Sequence, residues 1–192
     1  MEVLTKLEQL REIALDQHGF VTTGQAIDAG LGHADLSKLV ARGRLERVAH
    51  GVYRVPQVAE TDMDQYQLAV LWAGTAEACL SHETALAVRG ISDINPDRIH
   101  LTVSRARRIR RGGGEQYIVH RADLEPREII WWEGIRATSV PTAIRQCIET
   151  GVPTYLIKQA LQEARGTSIL QVNEHTRLGR MLKSRDDAEH TA

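Results

Sequence analysis

Residues 20–56 read FVTTGQAIDAGLGHADLSKLVARGRLERVAHGVYRVP, and the fold turns on this stretch. Phe20 and Val21 form a short extended piece. Thr22, followed three positions later by Gln25, fits a capping box and opens a short helix to about Ala29. Gly30 suits the left-handed residue that closes such a helix, and Leu31-Gly32 completes a tight turn. A further helix is expected over 34–42, with Leu36, Leu39 and Val40 apolar and Gly43 as its stop. The period then changes from helical to alternating. Leu45–Val48 and Val52–Val55 read as short strands, and Ala49-His50-Gly51 suits the turn between them.

Outward on the N-terminal side, Val3, Leu7, Leu10 and Ala14 recur at helical spacing between charged residues, which predicts an amphipathic helix over 3–17. Helix, helix, four-residue turn, helix and hairpin is the order of a winged helix-turn-helix, here residues 1–56. The polar run 57–62 reads as a linker. On its far side the pattern predicts helices over 63–73 and 81–89, then strands 99–103 and 117–120 as the arms of one hairpin. A second hairpin, 129–132 with 135–138, is centred on Glu133-Gly134. Helices over 141–149, 153–165 and 169–182 follow. The expectation is therefore an α+β chain. Its winged helix-turn-helix (1–56) precedes a mixed helix and β-hairpin domain (63–183), and a flexible polar tail (184–192) ends it.

The 192-residue chain carries a net charge of −1, so bulk charge does not announce a nucleic-acid binder. Local charge does: between His33 and Arg54 the bases outnumber the acids by three. The helix starting near His33 would enter the major groove, presenting His33, Asp35, Ser37 and Lys38 to base edges. Arg42 and Arg44 follow it. Thr22 and Thr23 are placed to hold phosphate through hydroxyl and backbone N–H, and Arg47, His50 and Arg54 belong to the wing. A second basic segment, Arg105, Arg107, Arg108, Arg110 and Arg111, precedes three glycines and reads as an exposed auxiliary contact to nucleic acid at a hairpin tip.

Other chemistries find little support. Cys79 and Cys147 form no CxxC pair, which fits a reducing cytosol. The first twenty residues are not a signal peptide, and no apolar run is long enough to span a membrane, so a cytoplasmic protein is expected. Ser81-His82-Glu83 is not HExxH, because Leu86 stands where the second histidine belongs, and Ser81 reads as a helix cap. His82, His100 and His120 have no carboxylate spacing that supports a metal. No metal, cofactor or catalytic residue is expected, although a hydrolase using His82, Glu83, His100 and His120 is the rival reading. Trp131 and Trp132 fall on opposite faces of a strand.

Phe20–Ala26, Leu36–Val40 and Gly43–Arg54 resemble the N-terminal domain of AbiEi-type antitoxins of type IV toxin–antitoxin systems, including the MenA-like mycobacterial members. The resemblance continues through Ser81–Leu86, Ile99–Val103 with its arginine-rich continuation, His120–Leu124 and Gly134–Thr142. It implies a cytoplasmic repressor that binds an inverted repeat of double-stranded DNA at its own promoter, with a second protomer on the other half-site. It also implies a C-terminal domain that counters a nucleotidyltransferase-type toxin, with or without physical contact. DNA contact in such a protein would fall here on Lys38, Arg44, Arg47 and Arg54. A stand-alone winged-helix regulator with no toxin partner is the alternative.

Overall fold

The computed structural model describes residues 5–74, 78–110 and 112–190, so Val3 and Arg111 lie outside the described residues. The chain forms two compact units. One comprises Met1–Ala78 with Arg108–Glu115 and Glu133–Ile135, the other Cys79–Arg107, Gln116–Trp132 and Arg136–Ala192.

The first unit opens with α1 (Lys6–Leu15), whose N-terminus is closed by a Thr5/Glu8 capping box and whose Leu10 and Ala14 are buried. Strand β1 (Phe20–Thr22) leads into α2 (Thr23–Asp28). The Thr22/Gln25 capping box forms as the spacing predicts: Thr22 Oγ1 accepts from the Gln25 N–H, and Gln25 Oε1 accepts from the Thr22 N–H. Gly30 takes the left-handed conformation (φ 78°), and α3 (His33–Ala41) follows with Gly32 at its cap and the Asp35 carboxylate accepting from the Gly32 N–H. Strands β2 (Glu46–Ala49) and β3 (Val52–Arg54) make the wing, and β1 adds to it in the order β1-β3-β2. The core gathers Leu10, Val21, Ala26, Leu31, Leu36 and Leu45 with Tyr53 and Val55.

This unit does not end at residue 56. Helix α4 (Asp64–Ala73) sets Leu71 against buried Phe20 and Val52, with Leu68 beside them. The expected boundary at 57–62 gives way for a physical reason. Phe20 and Val52 need an apolar cover that the winged helix alone does not supply.

The second unit is built on a five-stranded sheet in the order β6-β5-β4-β8-β7. Its strands are β4 (Ala78–Leu80), β5 (Ile99–Val103), β6 (Tyr117–Arg121), β7 (Ile129–Trp132) and β8 (Ile135–Thr138). Between β7 and β8 both Glu133 (φ 47°) and Gly134 (φ 75°) are left-handed, as a two-residue type I′ turn demands. Trp131 is exposed and Trp132 half-buried. Strands β5 and β6, expected as a hairpin, pair in parallel, with Thr102 opposite His120. Residues 104–116 are long enough to carry the chain back to the start of β6, so the arginine-rich segment is a crossover and not a hairpin tip. Strand β4 went unforeseen because Ala-Cys-Leu is too short to show a period.

Helices α5 (His82–Ala87), α6 (Val140–Glu149), α7 (Thr154–Gly166) and α8 (Val172–Glu189) share one core that includes Leu86, Ile144, Ile157 and Leu178. Helix α8 runs well into the segment expected as a loose tail. Arg185 fastens it by donating to the Val152 carbonyl (2.8 Å) and Thr154 Oγ1 (2.6 Å), and Asp186 accepts from the same threonine (2.9 Å).

Candidate nucleic-acid interface

Six of the residues expected to meet DNA line one cleft of the first unit: Thr22, Thr23, His33, Ser37, Arg47 and His50. The cleft has a volume of about 440 Å³ and is closed by Gly24, Gly51, Tyr53, Leu71 and Gly74. Its construction follows from period and register. His33 and Ser37, four apart, share a face of α3. Arg47 pairs with Tyr53 across the wing, so both side chains leave the same face of the small sheet. Gly51 (φ 72°) makes the wing turn, and its carbonyl accepts from the Thr23 N–H at 2.9 Å, tying the wing to the start of α2.

Helix α3 and the strands that follow it leave a run of basic and polar side chains in solvent. His33, Ser37, Lys38 and Arg42 are exposed, as are Arg44, Arg47 and His50 on the approach to the wing and on it. Among the described residues no carboxylate lies within ion-pairing distance of Lys38, Arg42, Arg44 or Arg47. Ser37 Oγ donates back to the His33 carbonyl (3.0 Å), so toward a ligand the hydroxyl is left as an acceptor.

Two expectations change. Arg54 is 8% exposed and binds Asp64 at 2.5 Å and the Val58 carbonyl at 3.1 Å, with its guanidinium 5.3 Å from the Phe20 ring centroid. It is a structural clamp on α4 and leaves the DNA-binding set. The reason is alternation: Arg54 follows Tyr53 and therefore points to the opposite face of the strand from the cleft. The phosphate role given to the backbone of Thr22 and Thr23 also fails. The Thr22 N–H is bound to Gln25 Oε1, the Thr23 N–H to the Gly51 carbonyl, and the Thr22 hydroxyl to the capping box. The Thr23 side chain remains, beside Gly51. Tyr53, Leu71 and the three cleft glycines, Gly24, Gly51 and Gly74, are not marked as site residues by the sequence, although the Tyr53 position follows from its pairing with Arg47.

In the basic crossover Arg105, Arg108 and Arg110 are exposed and Arg107 is half-buried, while Arg111 lies outside the described residues. The Arg105 N–H donates to Asp123 Oδ1 at 3.0 Å.

The second unit assembles the three histidines. His82 is stacked on His120 with ring centroids 3.5 Å apart, and His100 Nδ1 lies 3.1 Å from His120 Nε2. Burial pushes His82 down to about 3, and the neighbouring His120 and His100 add to the effect. Burial likewise takes His100 down to about 4 and lowers His120. All three are therefore neutral imidazoles near pH 7.

Comparison with known proteins bears on the first unit above all. Residues 8–56 match the family described as "Transcriptional regulator, AbiEi antitoxin". No curated protein matches the chain significantly. Among solved structures, that of the RV2827C protein from Mycobacterium tuberculosis aligns with a TM-score of 0.52 at 15% identity, covering 96% of this chain and 78% of that one. At this identity the likeness is one of fold. It supports the α+β architecture over nearly the whole chain. No helix among the described residues is long and apolar enough to cross a membrane.

Proposed function

We propose that the chain is a DNA-binding transcriptional regulator of the antitoxin type, which represses its own operon by reading an inverted repeat. The observation that carries this reading is the cleft between α3 and the wing. It joins exposed His33, Ser37, Arg47 and His50, with Lys38, Arg42 and Arg44 exposed nearby and without an ion pair among the described residues. The antitoxin-regulator match over residues 8–56 falls on the same elements. In this arrangement α3 enters the major groove, Ser37 and Lys38 meet base edges, and Arg47 and His50 meet backbone phosphate from the wing. One such module is small, so two protomers on two half-sites supply the affinity of an operator complex. Arg105, Arg107, Arg108, Arg110 and Arg111 add phosphate attraction without reading sequence.

The second half of the proposal is that the chain counters a nucleotidyltransferase-type toxin of the cytoplasm. Its support is the antitoxin description of the matched family together with the resemblance of residues 81–86, 99–103 and 134–142.

Titration of the protein against its own upstream promoter at several salt concentrations tests the DNA reading. About six phosphate contacts give a log–log slope near −5. Equal affinity for the promoter and for a scrambled duplex would refute operator recognition. Co-expression with an adjacent nucleotidyltransferase gene tests the toxin reading separately. Undiminished growth arrest in the presence of this protein leaves it a stand-alone regulator.

A further inference from the structure

The three histidines of the second unit gather closely enough to share a metal ion. His82, His100 and His120 each offer one ring nitrogen, and the three atoms lie within 4.8 Å of one another. Tetrahedral zinc, with Zn–N bonds of about 2.0–2.1 Å, places its nitrogen ligands about 3.4 Å apart. The 3.1 Å between His100 Nδ1 and His120 Nε2 is close to that spacing.

The surroundings orient each ring. His100 Nε2 lies 3.1 Å from Glu83 Oε2, so the carboxylate takes that N–H and leaves Nδ1 with its lone pair toward His120. This is the carboxylate–histidine arrangement that fixes the tautomer of a metal ligand. His82 Nδ1 lies 2.9 Å from Ser81 Oγ, which leaves Nε2 as its ligating nitrogen. His82 also adopts a left-handed backbone (φ 50°), a conformation that costs energy for any residue with a β-carbon. Two hydrogen bonds hold it there: the Gln146 side chain accepts from the His82 N–H, and the Ser81 N–H donates to the His100 carbonyl. Strand register completes the set. His100 and Thr102 share a face of β5, and His120 stands opposite Thr102 on β6. A hydrogen-bonded histidine chain accounts for the 3.1 Å contact alone. It does not account for the strained backbone that brings a third imidazole to the same place, where the His82 ring now stacks on His120 at 3.5 Å and swings edge-on to direct Nε2 at a shared ion.

We propose that His82, His100 and His120 form a binding site for a divalent transition metal of the zinc class, with Glu83 and Ser81 orienting the ligands. His82 and His100 are buried and His120 is half-buried, so the ion is held on one side and can keep a solvent molecule as its fourth ligand. The metal ties the β4–α5 junction to β5 and β6. The proposal is independent of DNA binding.

The test uses the full chain without a histidine tag, stripped with EDTA and titrated with Zn²⁺ by calorimetry, and with Co²⁺ by visible absorption. One equivalent is expected to bind, with the intense d–d bands of tetrahedral cobalt and a rise in thermal midpoint. His100→Gln and His120→Gln should abolish the bands, and Glu83→Gln should weaken binding about tenfold, as loss of an outer partner does. Binding of less than half an equivalent by the parent protein overturns the proposal. So do octahedral-type cobalt bands, or histidine variants that bind as tightly as the parent. Because the parent titration decides by itself, misfolding of a variant does not shelter the idea.

Discussion

The cations of the α3–wing surface and the anchoring arginines of the second unit are treated in opposite ways. In the first, Lys38, Arg42, Arg44 and Arg47 project from α3 and the wing with no carboxylate at ion-pairing distance among the described residues. In the second, Arg145 binds Glu128 at 2.7 Å and Glu149 at 3.1 Å, Arg185 is spread over Asp186, Thr154 and Val152, and Arg89 donates to the carbonyls of Ala85 and Thr138. Arg54 tests the contrast, since it belongs to the first unit and the wing yet is tied like these anchoring arginines. The difference teaches that a count of bases in sequence measures potential for phosphate binding. What the fold leaves un-neutralised measures the capacity itself.

The contrast can be broken most forcefully at Arg54. Arg54→Ala leaves the half-buried Asp64 carboxylate with Thr61 alone and should destabilise the first unit by about 3 kcal/mol. Chemical denaturation measures this, and a loss of DNA affinity with unchanged stability would return Arg54 to the interface. Next, the pair Lys38→Ala and Arg47→Ala should lower promoter affinity about 100-fold together and reduce the salt slope by roughly two, at unchanged thermal midpoint. Gel-shift titrations at matched ionic strength decide it, and parental affinity in the double variant removes α3 and the wing from the DNA contact. Arg145→Ala should cost about 1 kcal/mol of stability, because its pairs are only partly buried, and should leave promoter binding alone. The smallest effect is expected for Arg108→Ala with Arg110→Ala: a loss of affinity of about threefold to tenfold, equal on promoter and scrambled DNA. Sequence-dependent loss there would make the crossover a reader of bases.

Much of the first unit is written locally, which is why its sequence is so readable. A capping box, left-handed glycines at 30, 43 and 51, and a change from helical to alternating period each name one element. Charge along the chain does not say which strand face each base occupies, so Arg54 counts with the wing bases in sequence and not in the fold. The second unit depends on distant pairings. Adjacent strands are most simply read as a hairpin, and nothing in residues 104–116 announces that β6 returns parallel to β5. The histidine cluster is hidden for the same reason. Positions 82, 100 and 120 have no common motif spacing, and only the register of β5 with β6 and the β4–α5 junction brings them together. The polarity of the last residues predicts solvent exposure, whereas Arg185 and Asp186 use polar atoms to dock.

The clamp from Arg54 to Asp64 bears on how such a module travels between proteins. A gene fusion that carried residues 8–56 and stopped would transplant a head with Phe20 and Val52 bare and a guanidinium lacking its counter-charge. A transplant that keeps Phe20 and Val52 covered and Arg54 neutralised therefore has to carry α4 as well, through Ala73.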